Sequence, residues 1–329
     1  AALAEYLAFV WMPLTLLAFH CLMEQVTARR LALAALSFGA LWMTHNVTGL
    51  AFTPLLAAYV LFRLIAESSR GSEGWAAAWR GALERASAAF GAAFLGLCIA
   101  AALLLPNLLE RGYINEQQWV RASYDYALHF VYPFQFLSPF WGYAPASPGP
   151  GDGMSFQLGA VPIILSLVAV VGAFWRPVKE RALVLFFAIA TLLLIFLMIP
   201  VSAPLWELLP IAALVQFPWR LLALAAVTMT ILSGLSISSS GALTVEPKAP
   251  RPKLNAQVLI MALIAALASF AYTLPEYTPV PDTAEGPLLT IEFEEKYDDM
   301  IGMTAWTKEL PATSPLVEQY HAGGDLVTA

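Results

Sequence analysis

The feature that most constrains this chain is a series of long apolar runs separated by short polar breaks. A membrane-crossing helix needs about 20 mostly apolar residues. Eight stretches approach or meet that length: Leu3–Met23, Leu31–Thr44, Val47–Ala66, Ala88–Leu109, Leu158–Trp175, Ala182–Ile199, Trp219–Ile237 and Ala256–Leu274. Leu31–Thr44 is the shortest, and Pro13 and Pro54 interrupt two of the others. Composition agrees with the pattern: 59% of the 329 residues are hydrophobic and 12% are charged. Soluble domains carry roughly 25% charge, so a surface made from this chain must face lipid or a partner. The expected fold is an all-α membrane protein of about eight transmembrane helices.

The connections divide the chain further. Residues 67–87 hold Trp75, Trp79, Arg80 and Arg85 at helical spacing, which predicts an amphipathic helix on the cytoplasmic membrane surface. Residues 110–157 form a long loop rich in Tyr, Trp, Phe, Pro and Gly. Its aromatic content argues for order, and long ordered loops are usually functional. Residues 200–218 are apolar but broken by four prolines, which predicts a re-entrant or interfacial segment. Residues 1–274 thus form the helical domain, and residues 275–329 read as a polar tail with the acidic run Glu292–Asp299.

Charge sets the expected orientation, because Lys and Arg are retained in cytoplasmic loops. With eight helices counted, twelve of the 17 cations fall on one side, at Arg29 and Arg30, between Arg63 and Arg85, between Arg176 and Arg181, and between Lys248 and Lys253. The other five lie on the opposite side with the long loop, the four-proline segment, His45 and the C-terminal tail. That side is the expected non-cytoplasmic face, and any chemistry belongs there.

Few residues on that face can do chemistry. Glu5 lies in the first apolar run, where a carboxylate is costly unless it faces a cavity or water. His45 and Asn46 sit at a helix junction, as ligand contacts or as a capping turn. In the loop, Trp141 offers a flat face while Asp152 and Gln157 offer hydrogen bonds. This suits a sugar or a polyprenyl headgroup, or equally an interfacial aromatic belt. Gln216, Trp219 and Arg220 cluster at the mouth of a helix, where a guanidinium can grip a phosphate or reach the headgroups. Asp125 and His129 would be neighbours on a helix.

The absences narrow the function. No P-loop, dinucleotide fingerprint, HExxH or GxSxG pattern is present. Nothing calls for an organic cofactor or a nucleic-acid partner, and a divalent metal is left open. Cys21 and Cys98 read as small buried hydrophobes. The chain opens on Ala1 directly in apolar sequence, without the marks of a signal peptide, which suggests a start inside a longer protein.

Four motifs carry a resemblance: ALAEYLAFVWMPLTLLAF at the start, THN at Thr44–Asn46, SPFWGY…DGMSFQLG in the loop, and QFPWRLL before the seventh run. With MTAWTKELP in the tail, they resemble the bacterial multi-pass proteins described as 6-pyruvoyl-tetrahydropterin-synthase-related, which look like GT-C glycosyltransferases. The resemblance implies sugar transfer from a polyprenyl-phosphate donor at the outer face of the bacterial plasma membrane, as part of cell-envelope synthesis. It also implies an acidic catalytic residue in a first outer loop. Here that loop falls upstream of Ala1, leaving Glu5 and Asp152 as candidate acids. Two alternatives stay open: a non-catalytic subunit with partner subunits in a larger membrane complex, or a transporter of lipid-linked sugar.

Overall fold

The computed structural model describes residues 2–68, 75–114, 124–142, 146–151, 153–175, 178–209, 214–238 and 256–270, with positions 274, 306 and 322. Almost all of the tail after residue 274 therefore lies outside the described residues, as do Asp152 and Tyr143. Among the described residues the architecture is all-helical, without strands. The helices are α1 (Ala2–Glu24), α2 (Ala28–Thr44), α3 (Asn46–Ser68), α4 (Trp75–Leu109), α5 (Ala160–Ala173), α6 (Val178–Met198), α7 (Ala203–Leu208), α8 (Leu221–Ser238) and α9 (Ala256–Phe270).

Five of these are long and apolar enough to cross a membrane: α1, α3, α4, α6 and α8. Three of the eight expected spans form shorter helices, at 17 residues for α2, 14 for α5 and 15 for α9. Only 28% of the most apolar stretch of α4 is buried. Its outward face carries Phe90 and Phe94, as that of α6 carries Leu192 and Leu193. A continuous apolar exterior of this kind is what lipid solvates and water does not.

The separate surface helix expected over residues 67–87 is corrected. From Trp75 onward the chain runs unbroken into the following span as one helix of 35 residues. At 1.5 Å per residue this is about 52 Å long, well beyond a hydrocarbon core of about 30 Å. The reason is local: the run from Trp75 to Phe94 is dominated by alanine and other good helix formers, and the first proline is Pro106. The four-proline segment does break, into a turn at Pro200–Ser202, the six-residue α7 and a turn at Pro218–Arg220.

The helices assemble as two groups. In the first, α2 packs closely on both α1 and α4, with α3 alongside. In the second, α8 packs between α5 and α6. Residues of the long connection before α5 join the second group: Val131 N–H donates to the Met198 carbonyl at 2.8 Å and Leu158 N–H to the Phe136 carbonyl at 3.0 Å. Between the groups, α1 meets α8 and α3 meets α6 along much thinner seams.

Arginines close two tight turns at the end away from Glu5. Arg30 donates to the Cys21 carbonyl at 2.7 Å, at the C-terminus of α1. Arg181 donates to the Ala173 carbonyl at 3.2 Å, at the C-terminus of α5. Both place a cation on carbonyls near a helix C-terminus and complement the helix dipole. Nearby, His20 hydrogen-bonds Tyr59 and Arg63 and faces Glu24. Cys21 is half-buried and Cys98 exposed, so the expected burial of Cys98 is corrected: it lies on the outward face of α4.

Inside the second group, the hydroxyls of Thr191 and Thr228 meet at 2.8 Å and are both buried. Hydrogen bonds between membrane helices couple by about 0.6 kcal/mol on average. A double-mutant cycle of Thr191→Val and Thr228→Val, read by thermal unfolding in micelles, is expected to return a coupling of about that size.

Candidate functional site

One group of polar residues converges where α1 begins, α2 gives way to α3, and α8 begins. Arg220 closes the Pro218–Arg220 turn. Its Nη1 donates to the Val215 carbonyl and to Gln216 Oε1, each at 2.8 Å. The backbone between them is unusual. Gln216 is buried with φ +65°, and Phe217 N–H reaches back to the Val215 carbonyl at 2.7 Å. This is a γ-turn with positive φ, a rare and strained form, of the kind that persists where surrounding structure enforces it.

Aromatic rings complete the mount. The guanidinium carbon of Arg220 lies 4.8 Å from the Phe217 ring centroid and 5.9 Å from that of Trp219. Those rings stack on each other at 5.1 Å and 17°. Phe156 packs on Trp219, and Tyr124 and His129 pack on Phe217. Arginine over a desolvated aromatic face gains up to about 2 kcal/mol.

Glu5 comes from the other helix group. Its Oε1 lies 3.9 Å from Arg220 Nε, with 21% and 13% of the two side chains exposed. That is an ion pair but not a hydrogen bond. Among the described residues Arg220 Nε is accordingly buried without an acceptor, as are Trp219 Nε1, Gln157 Nε2 and Trp42 Nε1. Buried donors are satisfied in the large majority of cases. These four donors are buried and unpaired among the described residues.

His45 ends α2 in an extended conformation and accepts at the start of α3. Thr48 N–H donates to its Nδ1 at 3.3 Å, and Thr48 Oγ1 lies 2.7 Å from the same atom. With Nδ1 accepting, the neutral ring carries its proton on Nε2, which is then a donor. Burial holds the His45 pKa below its ordinary 6.5; Glu5 opposes the shift and Arg220 adds to it.

A lowered histidine pKa has a defined consequence for stability. Above 6.5 both folded and unfolded rings are neutral, and the favourable difference is whole. As pH falls below 6.5 the unfolded ring takes up its proton first, so stability is lost until the folded ring titrates too. Between about pH 7 and pH 5 the unfolding midpoint of the wild type should therefore fall relative to His45→Gln, which has nothing to titrate there. Parallel curves would refute the assignment.

Of the residues singled out from sequence, Glu5, His45, Gln216, Trp219 and Arg220 come together. Gln216 serves as the seat of Arg220. Asn46 acts locally, accepting from Val47 N–H at 2.8 Å; the expected Asn46 cap is corrected, because Asn46 is the first residue of α3 and His45 accepts from Thr48 N–H in the capping position. Gln157 follows Phe156 against Trp219, with its amide nitrogen unpartnered. Trp141 is 41% exposed. Asp152 lies outside the described residues. The helical Asp125–His129 neighbourhood is corrected: residues 126–128 form a 3-10 turn, Asp125 accepts from Ala127 N–H at 2.9 Å, and His129 turns onto Phe217. Tyr124 and Phe217 were missed from sequence, where they look like ordinary loop aromatics. Among the described residues no three His, Cys, Asp or Glu gather as a metal set.

Family models, curated proteins and solved structures offer no match. The residues of this site are therefore the ground for any functional reading.

Proposed function

We propose that this chain is a bacterial plasma-membrane glycosyltransferase of GT-C type, or the part of one that carries its carrier-lipid site. In this reading α2, α5 and α9 complete a set of eight spans, and the Glu5 end of the bundle and the C-terminus face outward. The substrate is a sugar on a polyprenyl phosphate. The observation that supports it is the buried, aromatic-mounted guanidinium of Arg220, whose Nε has no acceptor among the described residues, beside the Glu5 carboxylate at one end of an apolar bundle. A lipid phosphate brings the acceptor oxygens that Arg220 Nε and Trp219 Nε1 lack among the described residues, and an isoprenoid tail remains in lipid.

The chemistry follows from charge. An acceptor hydroxyl attacks the anomeric carbon, and the bond from that carbon to the phosphate oxygen breaks. Its electron pair leaves on the polyprenyl phosphate, where Arg220 stabilises the growing negative charge. The hydroxyl proton passes to the Glu5 carboxylate. His45, with Nδ1 occupied by Thr48, donates from Nε2 to a phosphate oxygen.

The test is transfer of labelled sugar from a polyprenyl carrier by the protein in liposomes. Glu5→Gln is expected to lower kcat by about 100-fold, within the usual 10²–10⁴ range for a general base, with full folding retained. Wild-type turnover by Glu5→Gln would remove Glu5 from the chemistry. A transporter of the same lipid is the second reading, favoured by the thin seam between the helix groups. Movement of lipid-linked sugar across liposomes without sugar transfer would decide for it.

A further inference from the structure

We infer that the Glu5–Arg220 pair is an exchangeable latch between the two helix groups: an anionic phosphate takes Glu5's place on Arg220, and the groups part at that end. The inference rests on the reading of Arg220 as a phosphate site, and it adds what binding does to the protein.

The two partners are held very differently. Arg220 is anchored within its own group by the Val215 carbonyl, by Gln216 Oε1 and by the Phe217 and Trp219 rings. Glu5 stands across the seam at 3.9 Å from Nε, beyond hydrogen-bond reach, and Nε has no acceptor among the described residues. A carboxylate at that distance gains attraction without closing a bond. A phosphate oxygen placed on Nε would close it, and a second oxygen could take an Nη in the bidentate geometry that arginine favours. Exchange therefore favours the phosphate. Glu5 and the phosphate are both negative, and repulsion then pushes α1 away from α8.

The opposite end of the seam is built to stay closed. Tyr59 and Phe62 of α3 meet Phe186 and Phe187 of α6, with ring centroids 4.7 to 5.7 Å apart. Such aromatic pairs gain from dispersion whether or not the far end holds a ligand. Opening at the latch about this aromatic contact frees Glu5 from Arg220 as the ligand arrives.

The experiment uses the full chain in nanodiscs, with decaprenyl phosphate as probe and decaprenol as its uncharged control. Spin labels go on the exposed positions Val10 of α1 and Val201 of the second group, in a Cys21→Ala, Cys98→Ala background. The latch predicts that the phosphate lengthens the distance between the labels and decaprenol does not. It also predicts that Glu5→Gln, which removes the competing charge, binds decaprenyl phosphate about tenfold more tightly. If wild type binds the phosphate no better than the alcohol, the phosphate site itself is wrong. If it binds but the label distance is unchanged, or Glu5→Gln binds no tighter, the latch alone is overturned. Should Glu5→Gln fail to fold, the wild-type label distances decide.

Discussion

Replacing Arg220 by glutamine is expected to weaken binding of a polyprenyl phosphate by about 100-fold. Hydrogen bonds to charged groups contribute roughly 1.5–3 kcal/mol each, and every 1.4 kcal/mol is a factor of ten in affinity. The loss of one or two such bonds sets the scale. Arg220 is largely buried among Phe217, Trp219 and Gln216, so water cannot replace what is lost. Lysine is expected to recover only part of the affinity. Its ammonium can keep the charge but cannot bond Val215 and Gln216 while presenting a second nitrogen to the ligand. Arg29→Gln, exposed at the other end of the bundle, should change nothing. Titration of each variant with decaprenyl phosphate in nanodiscs reads the effect, and equal affinity of Arg220→Gln and wild type would remove Arg220 from the site.

The second large effect belongs to the scaffold. Gly39 of α2 and Gly96 of α4 lie where the two backbones come closest. A Cβ on Gly96 would stand 2.9 Å from the Ala35 carbonyl oxygen and 2.9 Å from Phe38 Cδ1, and one on Gly39 would stand 2.8 Å from the Gly96 carbonyl oxygen. Backbone atoms cannot swing aside as a flexible side chain does, so the helices would have to separate. Close approach through small residues is how membrane helices gain contact when lipid removes the hydrophobic drive between them. Overpacking typically costs 1–3 kcal/mol, and Gly96→Leu is expected at the upper end, about 3 kcal/mol, because two backbones and a buried phenylalanine are all displaced. Gly91, with open space around its Cβ position, is the control: Gly91→Ala should leave the unfolding midpoint unchanged or slightly raised. The midpoint in detergent checks both, and a Gly96→Leu midpoint equal to wild type would contradict the close α2–α4 contact.

The two effects act on different parts of one arrangement. The Gly39–Gly96 contact sets the first helix group, in which α1 carries Glu5. The γ-turn at Gln216 sets the second, in which α8 begins with Arg220. A lesion at Gly96 should therefore reduce binding through the fold, with the unfolding midpoint falling in step. A lesion at Arg220 should reduce binding at an almost constant midpoint.

The amino-acid sequence by itself determined the solvent and the elements of this protein. Runs of apolar residues near 20 long declare helices for lipid, because hydrocarbon acts on each residue of a run independently of the rest of the chain. Glu5, His45 and Arg220 stand out for the same reason, as polar groups in apolar surroundings. Helix bounds were less legible where no breaker stood, which is why α4 absorbed the expected surface helix. Tertiary structure alone decided that Glu5 faces Arg220 across two helix groups, that Gln216 seats the guanidinium through a strained turn, and that Thr48 fixes the His45 tautomer. Those facts depend on which distant segments meet, and that is set by the sum of many long-range packing contacts that no local pattern records.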